Sequence, residues 1–118
     1  MITLHPHRPL LALSLAMGAC AAYADAGDAG RGQQFFTVRH GHEWACATCH
    51  GAVPSGEGRH AVTGKAIAPL APAFNPQRLT DPAKTEKWLR RNCNDVLGRE
   101  CSAEEKADVL AWLRSIKP

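Results

Sequence analysis

Cys46-Ala47-Thr48-Cys49-His50 is the stretch on which the reading of this chain turns. Two thiols at C-x-x-C spacing with an imidazole directly after them are what covalent haem attachment requires. Each thiol can add to one haem vinyl group as a thioether, and the adjacent histidine can reach the iron from the same side. Cys46 and Cys49 are therefore the candidate anchors of one covalent haem c, and His50 is the candidate proximal iron ligand. A thioredoxin-like redox pair would need strand–helix context, which the flanking sequence does not offer, and would leave the histidine without a role.

Upstream of this motif the chain reads as exported. His5, His7 and Arg8 give a weakly cationic start, and Leu10 to Ala22 is an apolar, small-residue run too short to span a bilayer comfortably. Ala22-Tyr23-Ala24 fits an A-x-A cleavage site. Residues 1–24 are thus expected to be a signal peptide, 25–118 a mono-haem cytochrome c domain, and the location periplasmic. Met17-Gly18-Ala19 before Cys20 makes a poor lipobox. No later segment is apolar enough to cross a membrane, so no membrane span is expected in the mature chain.

The mature chain of about 94 residues is one small domain, which buries only about 60–65% of its unfolded surface and gains from a cofactor or a cross-link. The formal charge of +3 falls to about +2 without Arg8, and two haem propionates could cancel it. There is no basic stripe with interleaved aromatics, and so no support for a nucleic-acid partner. The mature cysteines are Cys46, Cys49, Cys93 and Cys101, an even set for an oxidising compartment. With the first pair taken by haem, the second is free to form a disulfide. A zinc site using Cys46, Cys49, His50 and a later cysteine fits an exported domain badly.

The local signals are helical. Asp28 to Val38 reads as an opening helix with Gly32 and Phe36 one turn apart on one face. Arg39 to Trp44 is a polar, His-rich approach to the motif. From Gly51 to Pro76 the chain is rich in Gly, Pro and Ala, which argues for a loop around the haem edge and against any strand. Thr80 or Asp81 caps a helix with Pro82 at its start, running to about Asn92. Gly98 is the expected turn between Cys93 and Cys101. Ser102 with Glu105 is a capping box. Val109, Leu110, Trp112, Leu113 and Ile116 follow at helical spacing, with Lys117 at the negative end. In the arrangement usual in small cytochromes c, which this chain is expected to share, Phe36 and Trp112 should meet where the first and last helices cross. The expected fold is mostly α, a small class I cytochrome c-like arrangement of about four short helices around the haem.

A metal-bound histidine needs an acceptor for its other ring N–H. In small cytochromes c a proline carbonyl soon after the motif serves, and Pro69 is the best match. The sixth iron position is less usual. Met1 and Met17 are the only methionines, and both fall in the expected signal peptide. His40, His42, His60, a lysine, an asparagine or no residue at all remain as candidates. In single-haem cytochromes the distal ligand comes from well downstream, which directs attention to Trp88 through Asp95.

Those residues carry a resemblance. Lys87-Trp88-Leu89-Arg90-Arg91-Asn92-Cys93-Asn94, Leu97-Gly98-Arg99-Glu100-Cys101 and Glu105 to Leu113 resemble the sphaeroides haem protein family, as do Cys46 to Gly51, Thr63-Gly64-Lys65 and Ile67 to Pro72. The likeness runs from about Arg31 to the end. It implies an asparagine as distal ligand, matched by Asn92, with Asn94 as its neighbour should the register shift. It implies a disulfide beside that asparagine, matched by Cys93 and Cys101. It also implies release of the asparagine on reduction, transient binding of O2, NO or similar small ligands at ferrous iron, and electrons from a dihaem or other cytochrome c partner. Trp88, Phe74 and Leu89 are expected to pack on the haem, and Arg90 or Arg91 could pair with a propionate or a bound anion. Two other functions stay open: a plain electron carrier with six-coordinate iron in both states, and a non-catalytic gas-binding module. Whether any oxidoreductase turnover occurs is left undecided by the residues.

Overall fold

Asp28 opens the first helix of the computed structural model by accepting a hydrogen bond from the Arg31 backbone N–H at 2.7 Å. Residues 26–118 are described by the structure, so the expected signal peptide and its cleavage site lie outside the described residues. Among the described residues four helices form: α1 (Ala29–Thr37), α2 (Cys46–His50), α3 (Pro82–Leu97) and α4 (Ala103–Ser115). Between α2 and α3 lie two short strands, β1 (Gly58–Arg59) and β2 (Ala66–Ile67). Among the described residues no helix is long and apolar enough to cross a membrane.

The α1–α4 crossing is the structural centre. A Cβ on Gly32 would lie 2.0 Å from the Asp108 carbonyl oxygen, so the two backbones meet where only glycine fits. One turn on, Phe36 packs against Trp112 with ring centroids 4.9 Å apart, the contact expected from the arrangement usual in small cytochromes c. Val109 and Leu113 complete this buried cluster. Asp108 is buried in the same seam and accepts from Asp28 N at 2.6 Å, Arg31 Nε at 2.8 Å and Arg31 Nη2 at 3.0 Å. A buried carboxylate is costly unless its oxygens are satisfied, and these donors satisfy it. The Arg31 side chain above all holds its carboxyl below the usual carboxylate range.

Helix α3 starts as its residues dictate. The Asp81 side chain accepts from Lys84 N at 3.1 Å, and Pro82 occupies the first turn. It does not stop near Asn92 but continues through Leu97, and Gly98 ends it in the left-handed region at φ 66°. Asn92, Cys93 and Asn94 are weak helix formers, yet burial of Cys93, Val96 and Leu97 outweighs that preference. A disulfide joins Cys93 to Cys101 across the Gly98 turn, Cα to Cα 5.7 Å. These residues form a second buried cluster, against which Phe35, Trp44 and Cys46 pack.

Helix α4 opens with the reciprocal cap. Glu105 N donates to Ser102 Oγ at 3.1 Å and Ser102 N donates to Glu105 Oε2 at 2.7 Å. The helix ends at Ser115, so the basic residue in its last turn is Arg114 and Lys117 lies beyond.

The segment after α2 is mostly turns, with one correction to the strand-free expectation. β1 and β2 pair antiparallel, Gly58 opposite Ile67 and Arg59 opposite Ala66. The connection is closed by His60, whose Nδ1 accepts from Val62 N at 3.2 Å and Thr63 N at 3.1 Å.

Candidate functional site

Helix α2 is a single turn, too short to persist alone. It is held by its neighbours. Ala45 is buried and its N–H donates to Thr48 Oγ1 at 3.0 Å, while Gly51 N closes the turn on the Ala47 carbonyl at 2.8 Å. Cys46 packs against both buried clusters, so the first candidate anchor sits where α1, α4 and the disulfide loop converge. Burial pushes its thiol up to about 11. The Cys49 Sγ accepts from Ala61 N at 3.3 Å. A Cβ on Gly58 would lie 2.2 Å from the Cys49 carbonyl oxygen, so β1 passes directly against the motif. Cys46 and Cys49 are both half-buried and are not bonded to each other.

The His50 ring lies 6.1 Å from Phe36, centroid to centroid. Burial, and then the Arg78 cation, push its pKa down to about 4. At neutral pH the imidazole is therefore neutral and keeps the lone pair that a metal requires. Arg78 donates from Nε to the Pro69 carbonyl at 3.0 Å and from Nη2 to the Ala68 carbonyl at 2.9 Å. Asn75 Nδ2 also reaches the Pro69 carbonyl, at 3.3 Å.

On α3, Asn92 is half-buried and Trp88 precedes it by one turn, which puts both on one helix face. Trp88 is 44% exposed and Phe74 39% exposed. The Arg91 guanidinium stands 5.4 Å from the Trp88 ring centroid, and Arg90 approaches Glu100 at 3.6 Å. Two of the other histidines, His40 and His60, have local hydrogen-bond partners. His40 Nε2 donates to the Phe35 carbonyl at 2.8 Å and its ring stacks on Phe35. His42 lies against Gly98, and His60 caps the β1–β2 connection.

The residues present fit a covalent haem. Two thiols free of any disulfide and a neutral imidazole share one helical turn, the donor set that covalent haem needs, and Trp88 and Phe74 are large side chains left partly open. Arg78, Asp108 and Gly58 were not singled out by the sequence. Asp108 carried a usable signal, an acid within the apolar face of α4. Arg78 carried none, being one cation in a turn-rich stretch.

A few short helices around a C-x-x-C-H turn define a small c-type cytochrome, and the comparisons make the class specific. A family model described as a domain of unknown function, DUF1924, matches residues 22–113. Cytochrome c-type protein SHP of Cereibacter sphaeroides is 59% identical over 69 residues, covering 58% of this chain and 53% of that protein. Cytochrome c'' of Methylophilus methylotrophus is 47% identical over 78 residues, covering 66% of this chain and 54% of that protein. The match thus spans about half the length of these curated relatives. The solved structure of oxidized SHP, described as an oxygen binding cytochrome c, superposes with a TM-score of 0.70 at 49% identity, covering 76% of this chain and 83% of that one. The chain belongs to the DUF1924 family and, within the c-type cytochromes, to the group of SHP and cytochrome c''. Its cofactor is covalently bound haem c.

Proposed function

We propose that this chain is a periplasmic cytochrome whose iron is held by His50 and Asn92 when ferric, and that Asn92 lets go on reduction. Cys46 and Cys49 anchor the haem, and Trp88 packs on it. Bound haem supplies an iron that cycles between ferric and ferrous states and one coordination position open to O2, NO or a similar small ligand. The carboxamide of Asn92 is a neutral, weak donor. Its oxygen suits the harder ferric ion better than the ferrous one, so reduction favours release. Cys93, tied to Cys101, limits how far the Asn92 backbone can move, so the released side chain stays close enough to return. With haem bound, the Pro69 carbonyl would accept the His50 Nδ1–H and so set the tautomer of that ring. Electrons arrive from a dihaem or other cytochrome c.

One observation carries this reading: no methionine follows residue 17, while His40 and His60 are each engaged by hydrogen bonds to nearby backbone. The description of the related SHP as an oxygen binder supports the ligand class. Substituting Asn92→Ala tests it. The ferric absorption spectrum should change from low-spin to high-spin or water-ligated, with the ferrous spectrum unmoved. An unchanged ferric spectrum would remove Asn92 from the iron.

A further inference from the structure

We propose that the stripe Lys84, Lys87 and Arg91 on the outward flank of α3 is the docking surface for an acidic patch on the protein that delivers electrons. That electrons enter beside this stripe rests on the reading above in which Asn92 meets the iron.

The three side chains recur at i, i+3 and i+7, so one flank of the helix bears them over about 10 Å. All three are exposed. Among the described residues no carboxylate forms an ion pair with any of them. Their charged neighbours on α3 are matched: Glu86 meets Lys106 of α4, and Arg90 approaches Glu100. Asp81 is occupied as the helix cap. Asp95 follows one turn after Arg91 and forms no ion pair among the described residues.

Cations at these positions work against the helix itself. Lys84 lies in the first turn of α3, at the positive end of the dipole, where a cation is unfavourable. That turn holds no acid, whereas α4 begins with Glu104 and Glu105. Lys84 with Lys87, and Lys87 with Arg91, are like charges three and four residues apart, which repel. Helix stability therefore does not account for the stripe. Packing does not account for it either, because the side chains are exposed.

The position fits an electron route. Trp88 and Asn92 lie one turn apart, and the stripe runs alongside them. The Arg91 guanidinium stands 5.4 Å from the Trp88 ring centroid. An acidic partner drawn to the stripe thus meets the molecule beside its candidate iron site. Cations gathered at one place steer such a partner during encounter and fix its orientation. Trp88 is the one large apolar side chain on this flank, so it lacks the apolar stripe by which an amphipathic helix enters a lipid surface.

The test uses the ferric holoprotein. Poly-L-glutamate is the acidic probe, mapped by amide NMR shifts. These should centre on residues 84–91 and vanish in Lys84→Glu/Lys87→Glu. Electron entry is read as a ratio of rates: photoreduced FMN, which bears a phosphate, over photoreduced lumiflavin, which has the same ring without it. Each donates an electron to the ferric haem. The ratio should fall about five- to tenfold in Lys84→Glu/Lys87→Glu at low salt, as charge reversal within about a Debye length implies. Arg39→Glu/Lys117→Glu makes the same change of net charge beyond the ends of α1 and α4, and should alter the ratio by less than about twofold. The Lys84/Lys87 variant should also unfold at or above the native temperature, since it relieves repulsion within α3. Equal falls in the two variants would reduce the effect to net charge and overturn the proposal. Shifts spread evenly over Arg39, Arg59 and Lys117, or a loss of stability in the Lys84/Lys87 variant, would also overturn it. So would binding to phosphatidylglycerol vesicles without response to poly-L-glutamate. The Asn92→Ala spectrum tests the ligand assignment separately, because the poly-L-glutamate map reads the stripe whatever ligand the iron holds.

Discussion

Replacing both Cys93 and Cys101 by alanine should lower stability by about 2.5 kcal/mol from chain entropy alone. The bridge closes a loop of sequence separation 8, and the chain-entropy relation for that length gives this figure at 25 °C. Both cysteines are buried, Cys93 5% and Cys101 7% exposed, so lost packing adds up to about 1 kcal/mol. In a domain of about 94 residues each kcal/mol moves the midpoint by about 4–8 °C, so a fall of roughly 10–25 °C is expected. The loss should be uneven. Val96 and Leu97 share the disulfide's cluster, whereas Val109 and Leu113 sit in the α1–α4 seam. Amide exchange should therefore rise at Val96 and Leu97 well before Val109. Urea unfolding of the ferric holoprotein, read by far-ultraviolet dichroism and compared with native protein, gives the number. A loss under about 1 kcal/mol, or uniform loss of amide protection, would show that α3 does not depend on the bridge for its last turns.

Glu105 gives a pH signature. Its carboxyl is drawn down to about 2 from an ordinary 4.5, first by the Arg99 side chain at 2.8 and 2.9 Å and then by the Ser102 backbone N–H. A depressed carboxylate stabilises the folded form above pH 4.5 and loses that contribution as pH falls towards 2. Glu105→Gln should flatten the acid limb of stability in that window, and a slope equal to native would contradict the assignment. Gly58→Ala forces a Cβ to 2.2 Å from the Cys49 carbonyl, a clash of backbone atoms. It should cost about 1–3 kcal/mol or more and reduce the haem-loaded fraction, measured as haem per polypeptide. Phe36→Ala, at a residue 2% exposed in the α1–α4 seam, should cost about 3–5 kcal/mol in the same urea assay.

Much of the fold is legible wherever a side chain acts on its own helix. Asp28, Asp81 and the Ser102–Glu105 pair announce three helix starts, because capping is a local hydrogen bond. The spacing of Gly32 and Phe36 puts them on one face of α1, while the partner of that face, α4, follows from the resemblance to small cytochromes c. Legibility fails where distant residues decide. Asn92 suggests an ending, but α3 continues because Cys93, Val96 and Leu97 find partners elsewhere in the chain. The β1–β2 pair is two residues on each side, too short for any alternation to show. At the candidate site, Cys46, Cys49 and His50 declare themselves by spacing. Arg78 does not, since its significance lies in two carbonyls nine and ten residues away.

Ferrous protein exposed to carbon monoxide addresses the heart of the account. If a weak amide leaves the iron on reduction, the ferrous spectrum will be high-spin and five-coordinate, and carbon monoxide will convert it promptly to a six-coordinate adduct. A low-spin ferrous spectrum indifferent to carbon monoxide would mean that a strong ligand holds the sixth position throughout, and that this cytochrome simply carries electrons.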